Sequence, residues 1–133
     1  MSYQIRVVLI GILAVLAFDT IASLAARGLG FPYTRASVGS YLLYFAIGFF
    51  AARGSSHPLQ AAAVAAGIAG LADASLGWFI SWKLEAAKLP AGTTLTPGRW
   101  LNIAIIVIVL AAAIGTIGGA VGRRHPTRES PSV

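Results

Sequence analysis

The chain has no cysteine, which removes disulfides, thiolate metal sites, thiol catalysis and cysteine-linked lipid anchors together. Acids are almost as scarce: 4 of 133 residues, namely Asp19, Asp73, Glu85 and Glu129. The two histidines, His57 and His125, stand about a helix length from either aspartate, and no HExxH pattern, phosphate-binding loop or carboxylate-rich metal spacing occurs. Hydrolytic, metal-dependent and phosphoryl-transfer chemistry have no starting point, so the sequence reads as a non-enzyme that takes no cofactor and no metal.

What fills the space is apolar. Hydrophobic residues make up 57% of the chain and charged ones 11%, too skewed for a soluble globule of this length. The mean hydropathy is +0.80. The net charge of +6 does not gather on one face. Arg6, Arg27, Arg35, Arg53, Lys83, Arg99 and Arg123 mark the edges of apolar runs, the pattern of cations that reach for lipid headgroups. A nucleic-acid binder would cluster them among polar neighbours. The expected partner is the lipid bilayer, with no nucleic acid.

Four runs lie between those cations, over residues 7–26, 36–52, 59–82 and 100–122. At about 1.5 Å per residue, roughly 20 helical residues cross a hydrocarbon core about 30 Å thick. The second run is short and borrows flanking residues. Ten-residue apolar/polar alternations are missing, which excludes a membrane β-barrel. The pattern predicts an all-α integral membrane four-helix bundle of two transmembrane hairpins, a single domain over 1–122, and a disordered basic tail over 123–133. Arg6 before the first run and small residues after it resemble a cleaved leader, but Asp19 and the length of the run favour a retained helix. Loops 28–34 and 53–58 are short and broken by Gly, Pro and Ser. The third connection starts with the helix formers Leu84, Glu85, Ala86, Ala87 and Lys88, predicting an extension of the third helix before turns at Pro90, Gly92 and Pro97.

The two aspartates inside these runs carry the functional argument. An ionisable group at membrane depth costs several kcal/mol unless it is paired or wetted, so it marks a site by default. Asp19 lies eight residues before Arg27 and Asp73 ten before Lys83, on helices that run the same way, so their depths match. Tyr44, nine residues after Arg35, reaches the same level; Tyr41 is one turn away, and Ser23 is one turn from Asp19. Asp19, Asp73, Tyr41, Tyr44 and Ser23 are the candidate ion or substrate residues. A carboxyl in a membrane helix also serves as a hydrogen-bonded packing element, and both readings stay open.

Small residues supply candidate packing positions. Gly115, Gly118, Gly119 and Gly122 form overlapping GxxxG pairs, and Gly70 shares a stripe with Ala62, Ala66, Asp73, Gly77 and Ser81 on the third span. Such faces pack within the chain or between chains, as a homo-oligomer or inside a larger membrane complex. Trp78, Trp82 and Trp100 fit interfacial anchors. Each half repeats the order aspartate, connection, arginine, second span, a coarse trace of duplication. No family motif is present. Two functions follow: a minimal proton- or cation-coupled transporter or channel, or a non-catalytic accessory or assembly subunit of a larger membrane complex.

Orientation is poised. Arg6, Arg53, Arg123, Arg124 and Arg128 fall on the face of the termini, and Arg27, Arg35, Lys83, Lys88 and Arg99 on the other. Only the α-amino group and the tail tip the balance toward cytoplasmic termini, in a bacterial inner (plasma) membrane. Two lysines added near Ser55 are therefore expected to lock the termini inside, and two near Gly30 to push them out. A C-terminal reporter active only in the cytoplasm measures this; a single orientation that neither addition shifts would exclude dual topology.

Overall fold

The structure, a computed structural model, describes residues 1–84 and 96–125, with Tyr33 described by its backbone alone. Four helices follow one another: α1 (Tyr3–Leu29), α2 (Ser37–Arg53, entered through a 3-10 turn at Tyr33–Ala36), α3 (Pro58–Lys83) and α4 (Pro97–Gly122). All four are long and apolar enough to span a membrane, α2 when counted with its leading turn as Thr34–Arg53. No strand occurs among the described residues.

α1 starts four residues before the apolar run it contains, the last helix three before and α3 one before, while α2 starts one residue inside its run behind the 3-10 turn. Polar caps and prolines set the starts. The Ser2 hydroxyl accepts from the Ile5 N–H at 3.4 Å and the Thr96 hydroxyl from the Arg99 N–H at 3.2 Å, satisfying amides a helix start leaves unpaired. Pro58 and Pro97 occupy first-turn positions where a missing N–H costs nothing. At the far end of α1, Gly30 takes a left-handed conformation (φ 72°) and its N–H bonds the Ala26 carbonyl. α3 ends at Lys83 with Leu84 in a turn. The expected extension over 85–88 lies outside the described residues, as do 126–133 of the expected tail. Residues 123–125 wind into a turn, and Arg53 Nε donates to the His125 carbonyl at 2.6 Å, tying the ends of α2 and α4.

The bundle is small inside and large outside. Only 28–33% of each apolar window is buried. The buried set is dominated by alanine, glycine and serine with Val15, Tyr44 and Ile47, whereas Ile10, Leu13, Ile21, Leu42, Ile106 and Val109 are exposed. That distribution is the reverse of what water selects.

Backbone proximity explains the small interior. α2 and α4 run parallel with Gly48 against the Gly115 backbone, Gly118 against Phe45 and Gly122 against Phe49. α3 meets α4 antiparallel, with Gly70 at Ala111, and Ala66 and Ala62 at Gly115 and Gly119. The glycine seam is thus filled twice over from within the chain, by α2 on one side and α3 on the other. α1 completes the bundle from outside this trio. It packs on α2 and α3 and has no contact with α4 among the described residues. Tyr3 Oη donates to the Phe50 carbonyl at 3.0 Å and Gln4 Nε2 to the Ala51 carbonyl at 2.8 Å.

A side chain at Gly48 would meet the carbonyl of Gly115, which is helix backbone and cannot swing away. Gly48→Ala is expected to lower stability by about 1–3 kcal/mol through overpacking. Gly67→Ala, whose new methyl would sit 3.8 Å from Ala112 Cβ, is expected to be neutral. Thermal melting of the purified protein in detergent, followed by size-exclusion chromatography, compares them; equal melting would show that the seam is not tightly closed.

Candidate functional site

The site forms where α1, α2 and α3 meet half-way along the bundle. Asp19 of α1 is 1% exposed and Tyr44 of α2 is 1% exposed, while Asp73 of α3 is half-buried. The Tyr44 hydroxyl donates to Asp73 Oδ2. Gly77, one turn beyond Asp73, explains how the second acid fits. A Cβ there would overlap Asp19 Oδ2 and lie 2.9 Å from Asp73 Oδ1, so the two carboxylates face each other across the space of one absent methyl group.

The local path of α3 supports this closeness. Asp73–Gly77 is a π-helical turn, with the Trp78 N–H reaching back to the Asp73 carbonyl. A π turn absorbs roughly one extra residue and so resets which neighbour the rest of α3 faces. Before the turn Ala62 and Ala66 face α4, at Gly119 and Gly115, whereas beyond it Ser81 is fully buried against α1. There it lies 3.0 Å from the Ser23 hydroxyl, and since Ser81 Oγ donates to the Gly77 carbonyl at 3.1 Å, Ser23 is the donor to Ser81. Ser23 therefore belongs to a serine couple one turn beyond the acids.

Next to the acids lies a cavity of about 140 Å³. Its polar wall is made by Asp19, Asp73 and the α2 positions Ser37, Ser40, Tyr41 and Tyr44; Val107 and Leu110 of α4 form the opposite wall. All four helices of one chain contribute. Of the sequence candidates, Asp19, Asp73, Tyr41 and Tyr44 come together here, Ser23 pairs elsewhere, and Gly70, Gly115, Gly118, Gly119 and Gly122 are the packing positions described above. Ser37 and Ser40 are the additions. Their signal was present in the spacing, because 37, 40, 41 and 44 fall at i, i+3, i+4 and i+7 on one helical face.

The polar wall of the cavity is built from oxygen groups. Carboxylates accept and hydroxyls both donate and accept, and among the described residues the cavity wall includes no lysine, arginine or histidine. Among the described residues no group of three or more His, Cys, Asp or Glu side chains could hold a metal ion. Thr20, Ser75 and Thr116, by contrast, bond carbonyls four residues back in their own helices, at 2.8, 2.6 and 2.7 Å, and play no part in the site.

Tyr44→Phe deletes the donor to Asp73 while keeping the ring, and is expected to cost about 1–3 kcal/mol of stability, the usual penalty for stranding a buried polar partner. Tyr41→Phe, at a residue 40% exposed, is expected to be neutral. Melting of the two variants side by side checks the contrast, and equal stability would show that the Tyr44 bond is not needed to hold the site.

No protein-family model matches the chain, and no curated protein or solved structure is similar to it at a significant level.

Proposed function

We propose that this is a small polytopic membrane protein that binds a proton or small cation between Asp19 and Asp73, as a minimal proton- or cation-coupled transporter or channel. The observation that carries the reading is the convergence of both carboxylates on Gly77 at the buried end of a polar cavity. Two unit negative charges about 4 Å apart repel by about 4 kcal/mol even at an effective dielectric of 20. A proton shared by the pair, or a cation bound between them, removes that repulsion. Uptake and release of such a charge is what a coupling site does.

Insertion in a lipid bilayer is supported by four sufficiently long apolar helices and by the large side chains left on the outside. With the cation count even, the α-amino group and the tail tip the reading toward both termini in the cytoplasm, in a bacterial inner membrane. The accessory-subunit alternative leaned on free glycine faces for docking. Those faces are occupied within the chain, and the site is enclosed by a single copy, so neither a second copy nor a larger complex is needed to build it.

In reconstituted vesicles carrying a trapped pH-sensitive dye, the native chain is expected to dissipate an imposed cation or proton gradient. Asp19→Asn and Asp73→Asn keep hydrogen-bonding capacity but lose the charge, so each is expected to abolish flux while elution profile and helix content stay native. Unchanged flux in both variants would remove the ion-site reading and return the acids to a packing role.

A further inference from the structure

The cavity is graded along one direction. At its buried end Asp19 and Tyr44 are each 1% exposed; one turn toward the start of α2, Tyr41 is 40% exposed, with Ser40 and Ser37 half-buried beside it. Seven residues separate Ser37 from Tyr44, about 10 Å along the helix. The start of α2, next to Arg35, lies at the face of the bundle that carries the α1–α2 connection and the start of α4. On the opposite side of the acids, the interior between the helices is apolar and closed, and the two clefts beside the first half of α1 have mostly apolar walls. Val15 of α1, Ala51 of α2, Ala66 and Ala69 of α3 and Ala111 of α4 are each 0% exposed, joined by Ile47.

The glycine seam accounts for the difference between the two halves. In the half toward the termini, Gly48, Gly115, Gly118 and Gly122 bring the α2 and α4 backbones into contact. In the other half those helices present Ser40, Tyr41, Val107 and Leu110, side chains with volume, and the 140 Å³ cavity stands between them. That volume leaves room for a few waters or a small hydrated cation.

We infer that the acid pair is loaded from one face only, through a hydroxyl-lined entrance between the first halves of α2 and α4 that admits small hydrated cations, the face of the termini being sealed. This rests on the ion-site reading of Asp19 and Asp73 and adds its direction and its selectivity. Ser37, Ser40 and Tyr41 replace part of a cation's water shell on the way in, and the carboxylates at the end favour positive charge over negative.

The cysteine-free chain makes the test direct, because any introduced thiol is the only one. Ser37→Cys and Ser40→Cys report the entrance. Gly98→Cys, at an open position on the same face, and Ser55→Cys, in the connection between α2 and α3, report the two faces. In sealed vesicles, membrane-impermeant methanethiosulfonates bearing either a trimethylammonium or a sulfonate group are applied from each side in turn. The entrance cysteines are expected to follow Gly98→Cys in sidedness, whichever way the chain inserts. At Ser40→Cys, normalised to Gly98→Cys, the cationic reagent is expected to react about tenfold faster than the anionic one, an advantage that shrinks when Asp73→Asn is added. Reaction from the Ser55 side, reaction from neither side, or equal rates for the two reagents would overturn the inference; Tyr41→Cys replaces Ser40→Cys if that variant fails to fold. Labelling is read without flux, so a failed entrance and a failed ion site give separate results.

Discussion

The absent side chain at Gly77 is the constraint on which the centre of this bundle depends. Without a Cβ, the Asp19 carboxylate reaches the α3 backbone and meets Asp73. The π turn that contains Gly77 also carries Asp73 at its start and leaves Ser81 buried against α1, where the Ser23–Ser81 couple fastens α1 to α3 one turn further on. Three local facts, a glycine, a π turn and a buried serine pair, thus set one relative placement of α1 on the rest. A bundle held by Leu and Ile at the same positions would need none of them, but would have no room for two acids.

Packing elsewhere follows a different rule. Between α2, α3 and α4 the helices touch through backbone and alanine, so attraction comes from many close dispersion contacts in place of burial of large side chains. α1 is attached more sparsely. Clefts of about 450 and 350 Å³ flank its first half, against α3 and against α2, and the apolar walls of both are left without partners inside the bundle. The trio is a dense frame, and α1, which supplies Asp19, leans on it through polar contacts at its two ends. Regions with few buried apolar contacts open most readily, so α1 is the element with the lowest local stability against displacement.

Much of this was legible in the sequence, for reasons that differ by feature. Hydropathy located all four helices because lipid-crossing length and apolarity leave little freedom, yet it placed most starts late, since Ser2, Thr96 and Pro97 are polar or turn-like residues that belong to helices through capping. Depth counting brought Asp19, Asp73 and Tyr44 to one level, with Tyr41 one turn away, because helical rise is nearly constant. Rotation was harder. Ser23 looked like a neighbour of Asp19, and its true partner, Ser81, depends on the π turn, which no residue of the run Asp73–Gly77 announces. The glycine pattern showed that helices would meet there without showing whose; parallel contact with α2 and antiparallel contact with α3 emerge only from the assembled bundle.

The balance between a structural and a functional role for the acids turns on cost. One carboxyl hydrogen-bonded to a hydroxyl can join two helices at modest net gain, and the Tyr44 bond to Asp73 is of that kind. Adding a second carboxyl beside the first contributes repulsion when both are charged and little extra attraction when one is not. A cavity beside them removes still more packing, in a chain whose interior is otherwise closed by glycine and alanine. As a fastening device the arrangement is therefore inefficient, because the second carboxyl and the cavity add nothing to the Tyr44 bond. As a seat for a mobile positive charge it has the required parts: two adjoining carboxylates, hydroxyls to replace water, and a space beside them that leads toward the more exposed Tyr41. It is this mismatch with a packing role, in a chain that spends four acids in all, that supports reading the pair as the working centre of the protein.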